Sequence, residues 1–376
     1  MILVLADDLT SALDGAAPFA EHGLRARVLL DRDASEGAGA EVDALDLDTR
    51  FAEPDRAYAR FVKVAGRAGA STIVYKTVDS TLRGNVAAEV AGALDGAGRT
   101  RALFAPAFPA GGRTTVDGRQ LLDGMPLERT VFARDVRNPV LTGSIAALFD
   151  GAADRIDIRD ARSDADLDAI VAGEPRTEEV LWVGSPGLAG ALARKLGKGQ
   201  APAARAGAPA GRVLVVVGSL HPANADQIDE LQRAGTPVVR LTEDEGDDDD
   251  AARAARHGLQ TERTTCLVSP RVADTRAPDA AERMTRRLGA VAAAIAEDYD
   301  GLVVTGGDTA RRVVDALRAR SIELSGQVLP GVPYGTLVLT DGEIGFAAKA
   351  GGFGDRTALG QCVRLLGGAM AMSDHG

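Results

Sequence analysis

The chain has 376 residues, enough for two domains with separate cores. A net charge of −11 and a pI near 5.0 exclude a general nucleic-acid-binding surface, so an anionic ligand would need a locally positive pocket. Hydrophobic residues make up 45% and aromatics 4%, which predicts cores of Ala, Val and Leu, and no apolar run is long enough to span a membrane.

In chain order, Ile2–Leu5 reads as a first strand that runs straight into Asp7 and Asp8, too short for a signal peptide, so a cytoplasmic location is expected. An acidic loop then enters a helix. Arg25–Leu30 and Val42–Leu47 read as strands, the second ending in Asp48, Thr49 and Arg50. Pro54 opens a helix that runs to about Gly66. Ser71–Tyr75 carries the β-branched residues of a buried strand. The polar cluster Lys76, Thr77, Asp79, Ser80, Thr81, Arg83 follows, then a helix that Asn85 can cap, with Val86, Val90 and Leu94 on one face.

Arg101–Ala105 is a further strand. Two turn dipeptides, Asp117-Gly118 and Asp123-Gly124, mark a hairpin excursion after it. Asn138–Asp150 and Ser163–Gly173 read as helices around a strand near Arg155–Ile158. Val180–Val183 and Pro186–Leu196 complete the first half as strand and helix. Residues 197–211, small and rich in Pro and Gly, read as a linker between domains 1–196 and 212–376.

The second half repeats the alternation, with strands at Val213–Val217, Val238–Leu241, Thr264–Val268 and Leu302–Thr305. Helices are expected over Asn224–Arg233, Ala280–Ala296 and Asp308–Arg318. The acidic run Glu243–Asp250 reads as a solvated loop and helix start, with no function assigned. Gln327–Gly354 holds strands and Gly-rich turns, and a last helix lies near Thr357–Leu366. The fold class is therefore α/β, with two domains, each a mostly parallel sheet flanked by helices, facing each other across a cleft.

Ligands of open α/β sheets bind beyond the carboxyl ends of strands. In the first half those ends carry Asp7, Asp8, Arg50, Lys76, Asp79 and Arg83. Arg50 has the planar fork for a bidentate carboxylate clamp, and a carboxylate such as Asp79 can take a proton from a hydroxyl. Thr10 and Ser11 could serve as helix caps. In the second half, Gly218-Ser219, Gly306-Gly307-Asp308-Thr309 and Gly351-Gly352-Phe353-Gly354 would let backbone N–H groups approach phosphate oxygens, with Lys349 adding a point charge. Neither GxxxxGK[ST] nor a strand-borne GxGxxG is present. Cys266 and Cys362 lack metal spacing and the four histidines form no HExxH pair, so no metal-ligating residues are assigned and both thiols are expected reduced.

These residues stand in recognisable strings. LADDLTSALD resembles the ADDFTGA-type opening of the four-carbon acid sugar kinase family, and YKTVDSTLRGN is similar to its YKKxDSTLRGN element. PAFPAGGRTTVDG, VVTGGDTARRV, GVPYGTLV and KAGGFGD look like its other signatures, so the resemblance spans Ile2 to about Leu366. It implies an ATP- and Mg²⁺-dependent kinase that phosphorylates the terminal hydroxyl of a threonate- or erythronate-like acid. Asp8, Arg50, Lys76, Thr77, Val78, Asp79 and Arg83 would then be substrate positions. Asp8 and Asp79 would be catalytic, with Asp308 a rival base by analogy with ribokinase-like kinases. Ser219, Gly306, Gly307, Asp308, Thr309 and Gly352 would be nucleotide positions. Leu9 and Ser11 replace the usual Phe and Gly, and GSLHP replaces GSCSP, which bears on substrate identity. A nucleotide-independent isomerase or lyase and a sugar-acid-binding regulator without catalysis are the alternatives. Expected partners are the small molecules alone, with a homodimer left open.

Overall fold

The computed structural model describes residues 1–30, 40–135, 138–149, 153–199, 211–219, 221–242, 247–270 and 278–367. Its backbone contacts divide the chain into two compact units, Met1–Ala203 and Ala204–Gly376. Residues 200–210 of the expected linker and 243–246 of the acidic run lie outside the described residues.

The first unit is built outward from β1 (Ile2–Ala6), whose five residues are all buried. A strand covered on both faces has no polar side to show, hence the unbroken apolar run ILVLA. α1 (Leu9–Glu21) follows, capped by Asp8, whose carboxylate accepts the Ser11 N–H at 2.7 Å. Next come β2 (Ala26–Leu29), β3 (Val42–Asp46), α2 (Pro54–Ala65), β4 (Ile73–Thr77), α3 (Val86–Gly96) and β5 (Ala102–Ala105). The excursion holds β6 (Arg113–Val116), β7 (Arg119–Leu122) and β8 (Met125–Pro126), and the unit closes with β9 (Ile156–Ile158), α4 (Asp164–Ala172), β10 (Leu181–Gly184) and α5 (Pro186–Leu196). The strand order β2-β3-β1-β4-β10-β5-β9 is parallel throughout. Because β3 and β4 flank β1 on opposite sides, the chain reverses its direction of travel there, the switch point at which open sheets bind ligands.

The excursion is the expected hairpin: Asp117 and Gly118 have φ of 50° and 67°, and Asp123 and Gly124 49° and 76°, the left-handed pairs of type I′ turns. The helix expected over 138–150 does not form; residues 138–149 carry only a 3₁₀ turn at Ala146–Leu148. Pro139 disfavours helix at Asn138, and the Gly143 N–H is held by Glu128 at 2.8 Å instead of joining a helical ladder. Asn85 also departs from expectation. It precedes α3 but makes no side-chain cap bond; its amide donates to the Thr49 and Ala52 carbonyls at 2.8 and 2.7 Å.

The second unit runs β11 (Val213–Val217), α6 (Pro222–Arg233), β12 (Val238–Arg240), α7 (Asp248–Glu262), β13 (Thr264–Val268), α8 (Pro278–Ala294), β14 (Gly301–Thr305) and α9 (Gly307–Ala316). It ends with β15 (Ser321–Leu329), β16 (Val332–Val338), β17 (Glu343–Lys349) and α10 (Ala358–Leu365). Strands β12, β13, β11, β14 and β17 are parallel neighbours in that order, and β16 and β15 continue antiparallel. β15 begins at Ser321, earlier than the sequence reading placed it. Its residues alternate between buried and half-buried from Ser321 to Gly326, a two-residue period that a sheet with one wetter face produces. The core packs Val213, Val215, Val303, Leu359 and Val363 among others.

Candidate active site

In the first unit the strand ends carry a ring of charge. β1 delivers Asp7 and Asp8, and the turn after β3 delivers Arg50, tied down by Thr49 N–H to Asp7 carbonyl at 2.9 Å. The Arg50 guanidinium is bidentate on Asp7, at 2.8 and 2.9 Å, also meets Asp8, and donates to Ser11 Oγ at 2.8 Å. Asp8 further accepts from Thr10 Oγ at 3.0 Å. After β4, Asp79 pairs with Arg83 and accepts from Thr81 Oγ at 2.7 Å, while Arg83 stacks 5.2 Å from the Phe132 ring centroid. Gly84 follows with φ 99°, and a Cβ there would lie 2.8 Å from Asp7 Oδ2, so the turn needs glycine for both conformation and space.

Burial sets opposite protonation tendencies in this ring. It drives the Asp7 carboxyl up, but the Arg50 guanidinium and Lys76 outweigh it and hold the group below the usual carboxylate range. Asp8 ends above that range, because burial there, with the charge of Asp7, exceeds what Arg50 returns. Asp79 is held low: burial opposes, and Arg83 with Arg50 prevails. Asp14, inside α1, sits well above the range through burial and the nearby charges of Asp8 and Asp79.

Lys76, read from the sequence as a loop cation, lies within β4, fully buried. Its ammonium bonds Glu89 of α3 at 2.9 Å and the Thr77 carbonyl, and lies 5.0 Å from the Phe61 ring centroid. Thr77 is buried with its hydroxyl unpartnered, and Val78 is buried with its N–H donating to the Gly184 carbonyl at 2.8 Å. The structure thus gathers Asp8, Arg50, Asp79 and Arg83 into one polar rim and sets Lys76 beneath it. Sequence reasoning missed Glu89 and Gln120. Glu89 falls three residues after Val86 and one before Val90, a single acid on an apolar helical face, and that pattern was its signal. Gln120, buried on β7, donates to the Ser80 and Pro106 carbonyls at 2.9 and 3.1 Å, so the hairpin braces the Asp79 loop.

In the second unit Val217, Thr305 and Lys349 stand in register as the last residues of β11, β14 and β17. The three glycine-bearing loops therefore start side by side and converge on Ser219. A Cβ at Gly306 (φ 92°) would lie 3.2 Å from Ser219 Cβ, one at Gly351 would overlap Ser219 Oγ, and one at Gly218 would overlap Thr309 Oγ1. Gly352 is equally close to the His221 ring. Gly307, Asp308 and Thr309 form the first turn of α9, whose N-terminal N–H groups and dipole suit an anion. Gln227 ties the loop down by donating to the carbonyls of Phe353, Gly354 and Asp355 at 2.9 to 3.2 Å. Leu220 lies outside the described residues.

One α/β unit thus carries a charge-ringed strand edge and the other a glycine cradle at its strand ends. Residues 2–152 match the family described as a sugar-binding N-terminal domain, and residues 214–359 match that described as a nucleotide-binding C-terminal domain. The D-threonate kinase of Cupriavidus necator is 35% identical over 95% of this chain and 96% of that protein, and that of Salmonella typhimurium 30% identical over the same shares. The D-erythronate kinase of Heliobacterium modesticaldum is 27% identical over 90% of each chain. A solved Haemophilus influenzae structure has the same fold, with a TM-score of 0.69 over 97% of this chain and all of that one at 19% identity. The chain belongs to the four-carbon acid sugar kinase family. Among the described residues no helix is long and apolar enough to cross a membrane.

Proposed function

We propose that this chain is an ATP-dependent kinase that phosphorylates the terminal hydroxyl of a threonate- or erythronate-like acid, giving the 4-phosphate. The observation that carries this reading is the convergence of three strand-end glycine loops on Ser219, within the segment matched as nucleotide-binding. The absent Cβ atoms let these loops close tightly against Ser219 and Thr309, and the backbone N–H groups of such close-packed glycine turns are what cradles a phosphate. ATP supplies the transferable phosphoryl group. Ser219, Gly306 to Thr309 and Gly352 would hold its phosphates. Mg²⁺ would arrive with the nucleotide and be bound through phosphate and water, since among the described residues no group of three His, Cys, Asp or Glu side chains could hold it.

In the first unit, Arg50 and Arg83 would bind the acid, with the Thr77 hydroxyl and the Val78 backbone beside it and Lys76 fixing the strand end beneath. Asp8 is the stronger candidate for the base: burial raises it, whereas Arg83 holds Asp79 too acidic to take a proton readily. The Asp8 carboxylate would accept the hydroxyl proton as the substrate oxygen bonds to the terminal phosphorus, and the bridging oxygen would leave with ADP. Asp79 would orient the substrate. The test is ADP release over the threonate and erythronate enantiomers and 3-oxo-tetronates, with Asp8→Asn, Asp79→Asn and Asp308→Asn alongside. Turnover without nucleotide would establish the isomerase or lyase instead. Sugar-acid binding without ADP release would establish the regulator.

A further inference from the structure

Among the described residues two lysines are buried at the carboxyl ends of parallel strands, and only one has a countercharge. Lys76 meets a carboxylate, Glu89, at 2.9 Å. Lys349, at the end of β17 and 1% exposed, meets none among the described residues. Its ammonium donates to Asn224 Oδ1 at 2.9 Å and to the carbonyls of Gly351 and Ala350 at 3.2 and 3.4 Å. Three acceptors match three N–H donors, so the hydrogen bonding is complete while the charge is uncompensated. Burial alone lowers the group to about 8, against a small upward pull from Cys362. A buried cation without a partner is costly, and such a group persists where a ligand completes it.

The surroundings indicate which ligand. Lys349 ties the glycine loop (Ala350, Gly351) to α6 through Asn224, whose amide also donates to the Ser219 carbonyl at 3.0 Å. Its own carbonyl accepts the Gly306 N–H at 2.9 Å. Each glycine loop of the cradle is thus bonded to Lys349 directly or through Asn224. Thr305, its register partner on the same face, has a buried hydroxyl with no partner.

We propose that Lys349 is the positioning residue and buried countercharge of the cradle, completed by the phosphate of a bound nucleotide. This rests on the nucleotide reading of the second unit. It requires affinity to track phosphate charge: Lys349, behind the cradle, strengthens binding of ADP through its charge and leaves that of adenosine unaffected.

Calorimetric binding of ADP and of adenosine tests this in the full chain and in Lys349→Met. The variant should lose tenfold or more in ADP affinity, with adenosine changed less than twofold and sugar-acid binding kept. A fold-only role would weaken ADP and adenosine binding alike and would overturn the proposal. Wild-type ADP affinity should also fall several-fold between pH 7.5 and 9.5, as Lys349 loses its proton, with adenosine flat. The titratable group acting on Lys349 is the Cys362 thiol, pushed up to about 12 and so constant in that window, and a second titratable group, His221 at the head of α6, lies against Gly351 and Gly352 of the adjoining loop. Repeating the series in His221→Asn separates the second. Should Lys349→Met not fold, the wild-type pH series decides alone, and a flat ADP curve refutes the inference. If wild-type chain binds the sugar acid but neither ADP nor ATP, the nucleotide reading itself fails and takes this inference with it.

Discussion

Replacing Glu89 by Gln removes one charge from the Lys76–Glu89 pair without changing side-chain volume. Both side chains are at most 1% exposed, and the pair joins β4 to α3 directly beneath the Asp79 loop. Gln keeps an oxygen for the Thr49 hydroxyl, which donates to Glu89 at 2.6 Å, so no cavity opens and the measured loss is that of charge. Stranding one partner of a buried ion pair costs about 3–5 kcal/mol. With a urea dependence of about 2 kcal/mol per molar, the first unit's midpoint should fall by about 1.5–2.5 M. Trp182 is the only tryptophan, fully buried on β10, and sits opposite Tyr75 while Val183 sits opposite Lys76. Its fluorescence therefore reports this sheet. The double substitution Lys76→Met with Glu89→Leu should recover a large part of the loss, because a well-packed apolar pair needs no charge compensation. A Glu89→Gln loss below about 1 kcal/mol, or no recovery in the double variant, refutes the reasoning that the pair is a dry one whose members depend on each other.

Gly84→Ala should cost about 1–3 kcal/mol from its left-handed backbone and also lower turnover, since the new methyl pushes Asp7 off Arg50. Parallel urea and rate measurements check both, and an active, fully stable variant counts against that geometry. Asp79 lies below its ordinary 3.8 in the folded chain, so its stabilisation is complete above that value and is lost as pH falls through and below it. Asp79→Asn should flatten the acid limb of the stability curve, measured by Trp182 fluorescence from pH 5 to 2. Gly351→Ala, whose Cβ would overlap Ser219 Oγ, should raise the KM for ATP about tenfold or more and leave that for the sugar acid unchanged. An equal rise in both would detach the cradle from the nucleotide.

The alternation of strands and helices was legible because buried parallel strands are written as continuous β-branched or aliphatic runs, such as VLVVV at Val213–Val217. The glycine loops were legible for a related reason: close backbone approach admits only glycine, so the requirement is printed in the residue type. Pairings were not legible. Asp7 and Arg50 are 43 residues apart, and only the register of β1 with β3 brings them together. Lys76 was misplaced by a small margin. Its strand runs on to Thr77, which turns a loop cation into a buried one. The absent helix at 138–149 shows the same limit, because a local apolar pattern was overridden by Pro139 and by the tertiary bond that the Gly143 N–H donates to Glu128.

The charge count of the first site leads to a last expectation. Arg50, Lys76 and Arg83 are in direct ion pairs with Asp7, Asp8, Asp79, Glu89 and Asp135, three cations against five carboxylates. Arg113 faces Asp79 from β6, and Asp14 adds a sixth acid. With every group ionised, the site has no positive surplus to draw in a sugar acid that is itself an anion. Burial, however, sets Asp14 well above the ordinary carboxylate range, so it is the group that can hold a proton when a further negative charge arrives. Binding of the acid should then be coupled to proton uptake, with affinity rising as pH is lowered from neutral toward the ordinary carboxylate range. The sugar acid's own carboxyl stays ionised until that range is reached. Calorimetry in buffers of different ionisation enthalpy reads the proton count directly. An affinity constant over that fall in pH, with no uptake, would mean that Arg50 and Arg83 leave their internal partners to bind the substrate, and the site would have to work by exchange of ion pairs instead of by protonation.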